Sequence, residues 1–356
     1  MSRARIVIGA NFGDEGKGLL TDYLCSKEGA GMVVRFNGGA NAGHTVVTPD
    51  GRRHVFSHFG SGTFAGVPTF LSQFFVCNPI LFMKEFNELS HKGVAVPTVY
   101  AHPDCLVTTF GDMIINQMLE DNKKELRHGS TGIGFNETIL RSEISELKIT
   151  MSDVWARDPK IKDKLEQICG KYSEFRTGRP ITNIEHMVEG FVKGLSVFAD
   201  CIHPLGIAQC KDEDPVFEGS QGLLLDMDNK EFFPHLTRSN TGLKNARMLC
   251  NLAGIDEIIP YYVSRTYLTR HGAGPLPGED EMLSYHDDTN VEHTYQGKIR
   301  FASLDENEMI ERCVKDADGL KARLVLTHFD QYEPEIRGTL ESHGPTRDHV
   351  HRGGLN

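Results

Sequence analysis

A largely parallel α/β sheet flanked by helices is the fold class this sequence predicts, and three observations predict it. The apolar run Ile6-Val7-Ile8 ends in glycine, enters a glycine-rich loop, and continues into a helical stretch from Leu19 to Leu24. Buried strand, loop, helix is an order that presents backbone N–H groups and a positive helix end to an anion. Short apolar runs then recur at Met32–Phe36, Val216-Phe217, Ile258–Val263 and Leu324–Leu326. Helical stretches lie between them, and that alternation builds parallel sheets. No repeat, low-complexity stretch or linker interrupts the chain, so one domain over 1–356 with long functional insertions is expected.

The clearest helix runs from Ile184 to about Phe198. Ile184, Met187, Val188, Phe191, Val192 and Leu195 recur at helical spacing and read as core, with Thr182 or Asn183 as N-cap. His349, His351 and Arg352 near the C-terminus read as a solvated tail.

Composition narrows the function classes. The chain is 39% hydrophobic and 24% charged, with a net charge of −11. An acidic surface argues against nucleic acid as a partner, because phosphate backbones need clustered Lys and Arg. A small nucleotide held by a local site is compatible with that field. The eight cysteines are scattered without a C-x-x-C pair, the pattern of reduced thiols in a cytoplasm. There is no cationic-then-apolar leader and no apolar run of eighteen residues, so a cytoplasmic protein without a membrane partner is expected.

Two loops carry the chemistry. In Gly13-Asp14-Glu15-Gly16-Lys17-Gly18, the glycines allow close approach to phosphate oxygens and Lys17 can neutralise them. This is not a Walker A loop: Asn11 stands where that pattern wants glycine, and Gly18 where it wants a hydroxyl. Asp14 is then the natural substitute ligand for magnesium. A glycine-rich turn with exposed charges is the plainer alternative. The second loop, Arg35 to Thr45, holds three glycines, two asparagines and His44. It is a poor helix and a poor strand, suited to placing polar groups against a ligand. His44 could donate a proton where Asp14 accepts one.

These segments resemble the adenylosuccinate synthetase family, which carries G-D-E-G-K-G and N-A-G-H-T loops. The resemblance continues in Phe217-Glu218-Gly219-Ser220-Gln221-Gly222, in Pro234 to Thr241, in Thr269-Arg270-His271-Gly272-Ala273-Gly274-Pro275, and in Ser342-His343-Gly344-Pro345. It implies the family's P-loop-like fold with long active-site loops. It also implies an amidation driven by a nucleoside triphosphate and Mg2+, through a 6-phosphoryl purine nucleotide. Asp14 would be base and metal ligand, His44 acid, Lys17 a phosphate neutraliser and Gln221 a further catalytic residue, with the Gly43 carbonyl a second metal ligand. The triphosphate would meet Gly13, Asp14, Glu15, Gly16, Lys17, Gly18, Gly43, His44, Thr45, Thr327, Asp330, Gly344 and Pro345. Asn41, Ser130, Thr131, Gln221 and Thr237 fall on the monophosphate contacts. Thr294, Lys298 and Arg300 fall on the aspartate contacts, and Arg141 on an arginine lent across a homodimer.

Three departures bear on the substrates. Thr327-His328-Phe329-Asp330 replaces the family's T-K-x-D, and losing that lysine favours ATP or dATP over GTP. Gly297 and Ile299 stand where the family has arginines, one of which touches the ribose, pointing to a 2′-deoxy substrate. The Gly129–Gly134 segment is short by two residues, and only residues 331–341 separate Asp330 from Ser342. Together with the run His58 to Phe64, these resemble the bacteriophage branch, which joins L-aspartate to dGMP for 2-aminoadenine DNA; a host cytoplasm is then expected. Retention of Asp14, which some members of that branch replace by serine, keeps an IMP- and GTP-using enzyme as the alternative. A non-catalytic nucleotide switch is a third reading.

Overall fold

Hydrophobic alternation along the strands assigns the two faces of the sheet. In the computed structural model, which describes residues 2–123, 131–287 and 298–354, Ile6-Val7-Ile8 lies within the strand Arg3–Gly9. Ile6 and Ile8 pack in one core cluster, with Phe217, Tyr262 and Leu326. Val7 packs in another, with Val216, Tyr261, Val263 and Val325. Successive strand side chains point to opposite faces, so a continuous apolar run fills a sheet covered on both sides.

Ten strands form that sheet. From one edge the order is Val350–Arg352, Leu340–Ser342, Arg323–Thr327, Glu257–Arg265, Arg3–Gly9, Val216–Gly222, Val33–Arg35, Thr69–Leu71, Val99–Ala101 and Ile202–Pro204. Every neighbouring pair is parallel except the first, Val350–Arg352 against Leu340–Ser342. The C-terminal segment is therefore an edge strand and not a solvated tail. Arg347 helps hold it, donating to both Asp22 carboxylate oxygens at 2.9 and 3.0 Å.

The long helix spans Glu185–Cys201 and buries Val188, Phe191, Leu195 and Phe198. Two residues expected in the core are not there: Met187 is 40% exposed and Val192 36%. The helix meets its neighbours along one narrow stripe, and these two flank it. Its cap is Ile184, without a side-chain hydrogen bond. Asn183 takes a left-handed φ of 57°, off the extended backbone that a side-chain N-cap adopts. Among the described residues no helix is long and apolar enough to cross a membrane.

Candidate functional site

Parallel strands deliver their loops to the same end of a sheet, and ligands of such sheets bind beyond the carboxyl ends of the strands. Five neighbouring strands end here in polar segments: Arg3–Gly9 in the loop to Lys17, Val33–Arg35 in the loop to His44, Val216–Gly222 in Gln221, Glu257–Arg265 in Arg265 and Arg323–Thr327 in His328. Between them lies a cavity of 440 Å³.

The glycine loop is locally dictated. Gly13 and Gly16 take φ of 105° and 91°, a region closed to most side chains. A Cβ on Gly16 would lie 2.9 Å from Thr327 Cγ2, so the loop also packs against that strand end. The helix Lys17–Glu28 follows, with no side-chain cap and no acidic residue in its first turn. Its N-terminal N–H groups are the kind that anions satisfy.

Charge is buried beneath the loop. Lys17 is 4% exposed and Glu15 3%. Burial pushes the Glu15 carboxyl up to about 7 against the pull of Lys17 and Asn11, whose backbone N–H donates to Oε1 at 2.7 Å. Oε2 has no hydrogen-bond partner. Burial lowers Lys17, opposed chiefly by Glu15 and Asp14. Asp14 itself is exposed, in a left-handed conformation with φ of 56°. Its carbonyl accepts from Arg265 Nε at 2.5 Å, and Arg265 Nη2 donates to Asp287 at 2.7 Å.

His44 is buried, with Nδ1 2.9 Å from Glu218 Oε1 but poorly directed toward it, and Nε2 has no hydrogen-bond partner. Burial lowers its pKa; Glu218 opposes this, and Arg35 and Lys17 add to it. Glu218 is wholly buried, and burial alone would raise it. The His44 imidazole, the Arg35 guanidinium and the Ser61 hydroxyl, which donates to Oε1, instead hold it at about 2.

The cavity wall includes Asp14, Glu15, Gly16, Lys17, Gly18, Gly43, His44, Thr45, Gln221, Thr327, Asp330, Gly344 and Pro345. Every residue expected to act in catalysis or to meet the triphosphate is there except Gly13, which packs 3.3 Å from the Gln221 backbone, measured from its would-be Cβ. A larger cavity of 1140 Å³ lies elsewhere, lined by Phe12, Asp226, Lys244, Arg312 and others. It contains none of the loop residues 13–18 or 43–45, so the smaller cavity is the candidate site.

Comparison with known proteins matches residues 6–306 to the adenylosuccinate synthetase family model. The chain belongs to the adenylosuccinate synthetase family. It is 30% identical over 295 residues to the adenylosuccinate synthetase of Pseudomonas fluorescens SBW25, covering 78% of this chain and 66% of that protein. With the Mycobacterium sp. KMS enzyme the identity is 31%, covering 79% and 67%. The chain thus spans about two thirds of the length of these curated relatives. Among solved structures, fully ligated adenylosuccinate synthetase from Plasmodium falciparum is similar with a TM-score of 0.70 and 20% identity, covering 95% of this chain and 79% of that one. The succinoaminodeoxyadenylate synthetase of cyanophage S-2L, bound to dGMP and dATP, has a TM-score of 0.65 and 17% identity, covering 99% and 95%. At these identities the structures establish the adenylosuccinate synthetase fold.

The expected monophosphate and aspartate contacts are less well gathered. Asn41, Thr131 and Thr237 are half-buried and outside the cavity wall. Ser130 and Thr294 lie outside the described residues, as does Gly297. Lys298 is exposed. Arg300 donates to Glu279 at 2.7 Å and to the Gly272 and Gly274 carbonyls at 2.9 and 2.7 Å, bracing the Thr269–Pro275 motif. Arg141 is a correction. It is fully buried and donates to Asp112 at 2.8 and 3.1 Å and to the Val107 and Leu147 carbonyls at 2.8 and 2.6 Å. A guanidinium so engaged cannot be lent to a partner subunit.

Glu218 and Arg265 are functional candidates without an assigned role in the sequence reading. Glu218 had a signal: a carboxylate directly after the apolar pair Val216-Phe217 continues a buried strand and must be paired when buried. Arg265 had none, since its partners are an Asp14 carbonyl and Asp287, brought near only by the sheet order.

Proposed function

We propose that this protein is a ligase that joins the amine of L-aspartate to C6 of dGMP, converting ATP or dATP to the diphosphate and phosphate. The product is N6-succino-2-amino-2′-deoxyadenylate, the precursor of 2-aminoadenine deoxynucleotides. The observation that carries the reading is the convergence of Asp14, Lys17, His44 and Gln221 with Thr327, His328 and Asp330 on one cavity. In this reading Asp14 removes the purine N1 proton, so that O6 attacks the γ-phosphate. Lys17 offsets charge on the phosphates, and His44 donates from Nε2 to the developing oxyanion. Burial disfavours the His44 imidazolium, so a nearby polyphosphate is what makes the acid form accessible, with Glu218 holding the ring from the other side. The aspartate amine then displaces the 6-phosphate.

A hard cation fits the donors. The Asp14 carboxylate and Gly43 carbonyl border the same cavity, and magnesium commonly takes one or two protein oxygens with phosphate and water. Bound there, Mg2+ would neutralise phosphate charge. No group of three or more His, Cys, Asp or Glu able to hold a metal occurs among the described residues, so the phosphates would complete its shell.

Support for dGMP comes from Ile299 and Gly297, which stand where the family has arginines, one of which touches the ribose. An IMP- and GTP-using synthetase is the second reading, favoured by the retained Asp14. The deciding experiment is product formation by purified protein with aspartate, Mg2+ and ATP, given dGMP, GMP or IMP in parallel. Preferential succinylation of dGMP supports the proposal, and preference for IMP replaces it with the second reading. A homodimer remains part of the proposal, with a residue other than Arg141 at the shared site; sedimentation as a monomer at working concentration would remove it.

A further inference from the structure

Arg265 ends the strand Glu257–Arg265, which runs parallel to Arg3–Gly9 with Val263 level with Gly9. Two contacts carry that pairing on into the loop. The Ala10 N–H donates to the Val263 carbonyl at 2.9 Å, and Asn11 Nδ2 donates to the Ser264 hydroxyl at 2.9 Å. The next side chain along is Arg265, and its Nε donates to the Asp14 carbonyl at 2.5 Å. Asp14 makes no other hydrogen bond among the described residues. Its carboxylate lies 3.9 Å from His271 Nδ1, too far for one.

Asp14 needs such a tie. Its φ of 56° lies in the left-handed region, which residues with a Cβ enter at a cost. Gly13 before it, with φ of 105°, adds no side chain to steady it. The carbonyl and the side chain leave the same Cα, so pinning the carbonyl at this φ settles the direction in which the carboxylate leaves the loop. The following carbonyl is held too, by the Thr327 hydroxyl, which donates to the Glu15 oxygen at 3.0 Å. Two successive loop peptides are thus fixed from neighbouring strand ends, and Asp14 borders the cavity it shares with Lys17 and His44.

The tie is itself held rigidly. Arg265 is 4% exposed, and all three of its guanidinium nitrogens are engaged with protein. Besides Nε, Nη2 donates to Asp287 at 2.7 Å and Nη1 to the Tyr267 hydroxyl at 3.2 Å. Tyr267 stacks on Tyr285, with ring centres 3.7 Å apart and planes 7° from parallel. Gln331 Nε2 donates to the His286 carbonyl at 2.9 Å. The strand ends therefore clamp residues 285–287, and through Asp287 they fix the guanidinium that bonds Asp14.

We propose that Arg265 is a positioning residue for the ligation: by holding the Asp14 carbonyl it keeps the Asp14 carboxylate at the cavity, and it acts on turnover through Asp14. This rests on the ligase reading, in which Asp14 is the base.

The test is a double-mutant cycle in kcat. Removing Arg265 alone would strand the buried Asp287 charge and endanger folding, so the whole cycle is built on Asp287→Asn. Arg265→Met is added to that parent with and without Asp14→Asn, chosen because asparagine tolerates a left-handed backbone. With Asp14 present, Arg265→Met should lower kcat by about 10-fold or more; in the Asp14→Asn background the loss should be less than about 2-fold. A merely structural role would scale both by the same factor, through a smaller folded fraction. Equal losses, or no loss with Asp14 present, would overturn the proposal. A crystal structure of the Arg265→Met, Asp287→Asn protein supplies a readout without turnover. Asp14 should leave the left-handed region, and an unchanged φ with the carboxylate in place would overturn the proposal as well. Failure of the wild type to form succinylated product from dGMP, GMP or IMP would instead sink the ligase reading, and the crystal structure would still decide whether Arg265 holds Asp14.

Discussion

Around the glycine loop, buried polar atoms lack partners: Glu15 Oε2, His44 Nε2 and Thr45 Oγ1. Around Arg141 and Arg300 the opposite holds, with each guanidinium making three or four hydrogen bonds to protein carbonyls and carboxylates. An unpaired buried polar group costs about 1–3 kcal/mol, whereas a paired one contributes to the fold. The contrast separates residues held in readiness for a ligand from residues that look like ligand contacts in the sequence but serve the scaffold. It also divides the site physically. The proposed triphosphate side is built from the ends of five adjacent strands. The residues proposed for the monophosphate and aspartate lie mostly in loops, whose ligand contacts often form only on closure.

That contrast can be broken most forcefully at Arg141. Removing it strands Asp112 as an uncompensated buried charge, so Arg141→Ala should lower unfolding free energy by about 3–5 kcal/mol in denaturant titrations. An arginine destined for a partner's site would leave stability unchanged and lower turnover alone. On the other side of the comparison, Asp14→Ala and His44→Ala should each reduce kcat by about 100-fold or more. Their melting temperatures should stay near that of the parent. Near-normal turnover in either variant removes its assigned role.

Glu15 sharpens the contrast through pH. Its folded pKa is raised to about 7 from the ordinary 4.5, so the folded state favours the protonated carboxyl. The ionised unfolded chain then gains relative to the folded one as pH rises from about 4.5 to 7. Glu15→Gln should therefore be more stable than the parent by roughly 2 kcal/mol above pH 7. The advantage should vanish below pH 4.5, as read from urea midpoints at pH 8 and pH 4. A pH-independent difference would mean that Glu15 is paired as well as Arg141 is. The smallest expected effect is at His328→Lys, which should raise GTP use relative to ATP by several-fold in kcat/KM; an unchanged ratio would contradict its place beside the base.

Much of the cavity around the glycine loop was legible because its backbone requirements are local. Gly13 and Gly16 are needed for positive φ, Lys17 opens a helix, and the segment Arg35 to Thr45, expected as a loop, is one except at its ends, where Arg35 closes the strand Val33–Arg35 and His44 and Thr45 open the strand His44–Val47. The five predicted central strands all exist; three agree within two residues at each end, while Arg3–Gly9 begins three residues before Ile6 and Val216–Gly222 runs five past Phe217. Misreadings came where a residue's fate depends on what lies opposite. Met187 and Val192 share the helical period of their buried neighbours but face away from the packing stripe. Val350–Arg352 carries charge and histidine, yet an open sheet edge pairs it.

What the sequence determined by itself is therefore the class of fold and the glycine loop and histidine segment that both border one cavity. Backbone propensity and period-2 burial act over a few residues, so they can be read in order along the chain. Only the tertiary structure decided that Glu218 backs His44, that Arg265 holds the Asp14 carbonyl, and that Arg141 is sealed inside. Each of these is a pairing between strands or helices far apart in sequence, set by the order in which strands enter the sheet. A charged residue in the sequence announces that it needs a partner; its fold supplies the partner, and with it the distinction between a binding group and a brace.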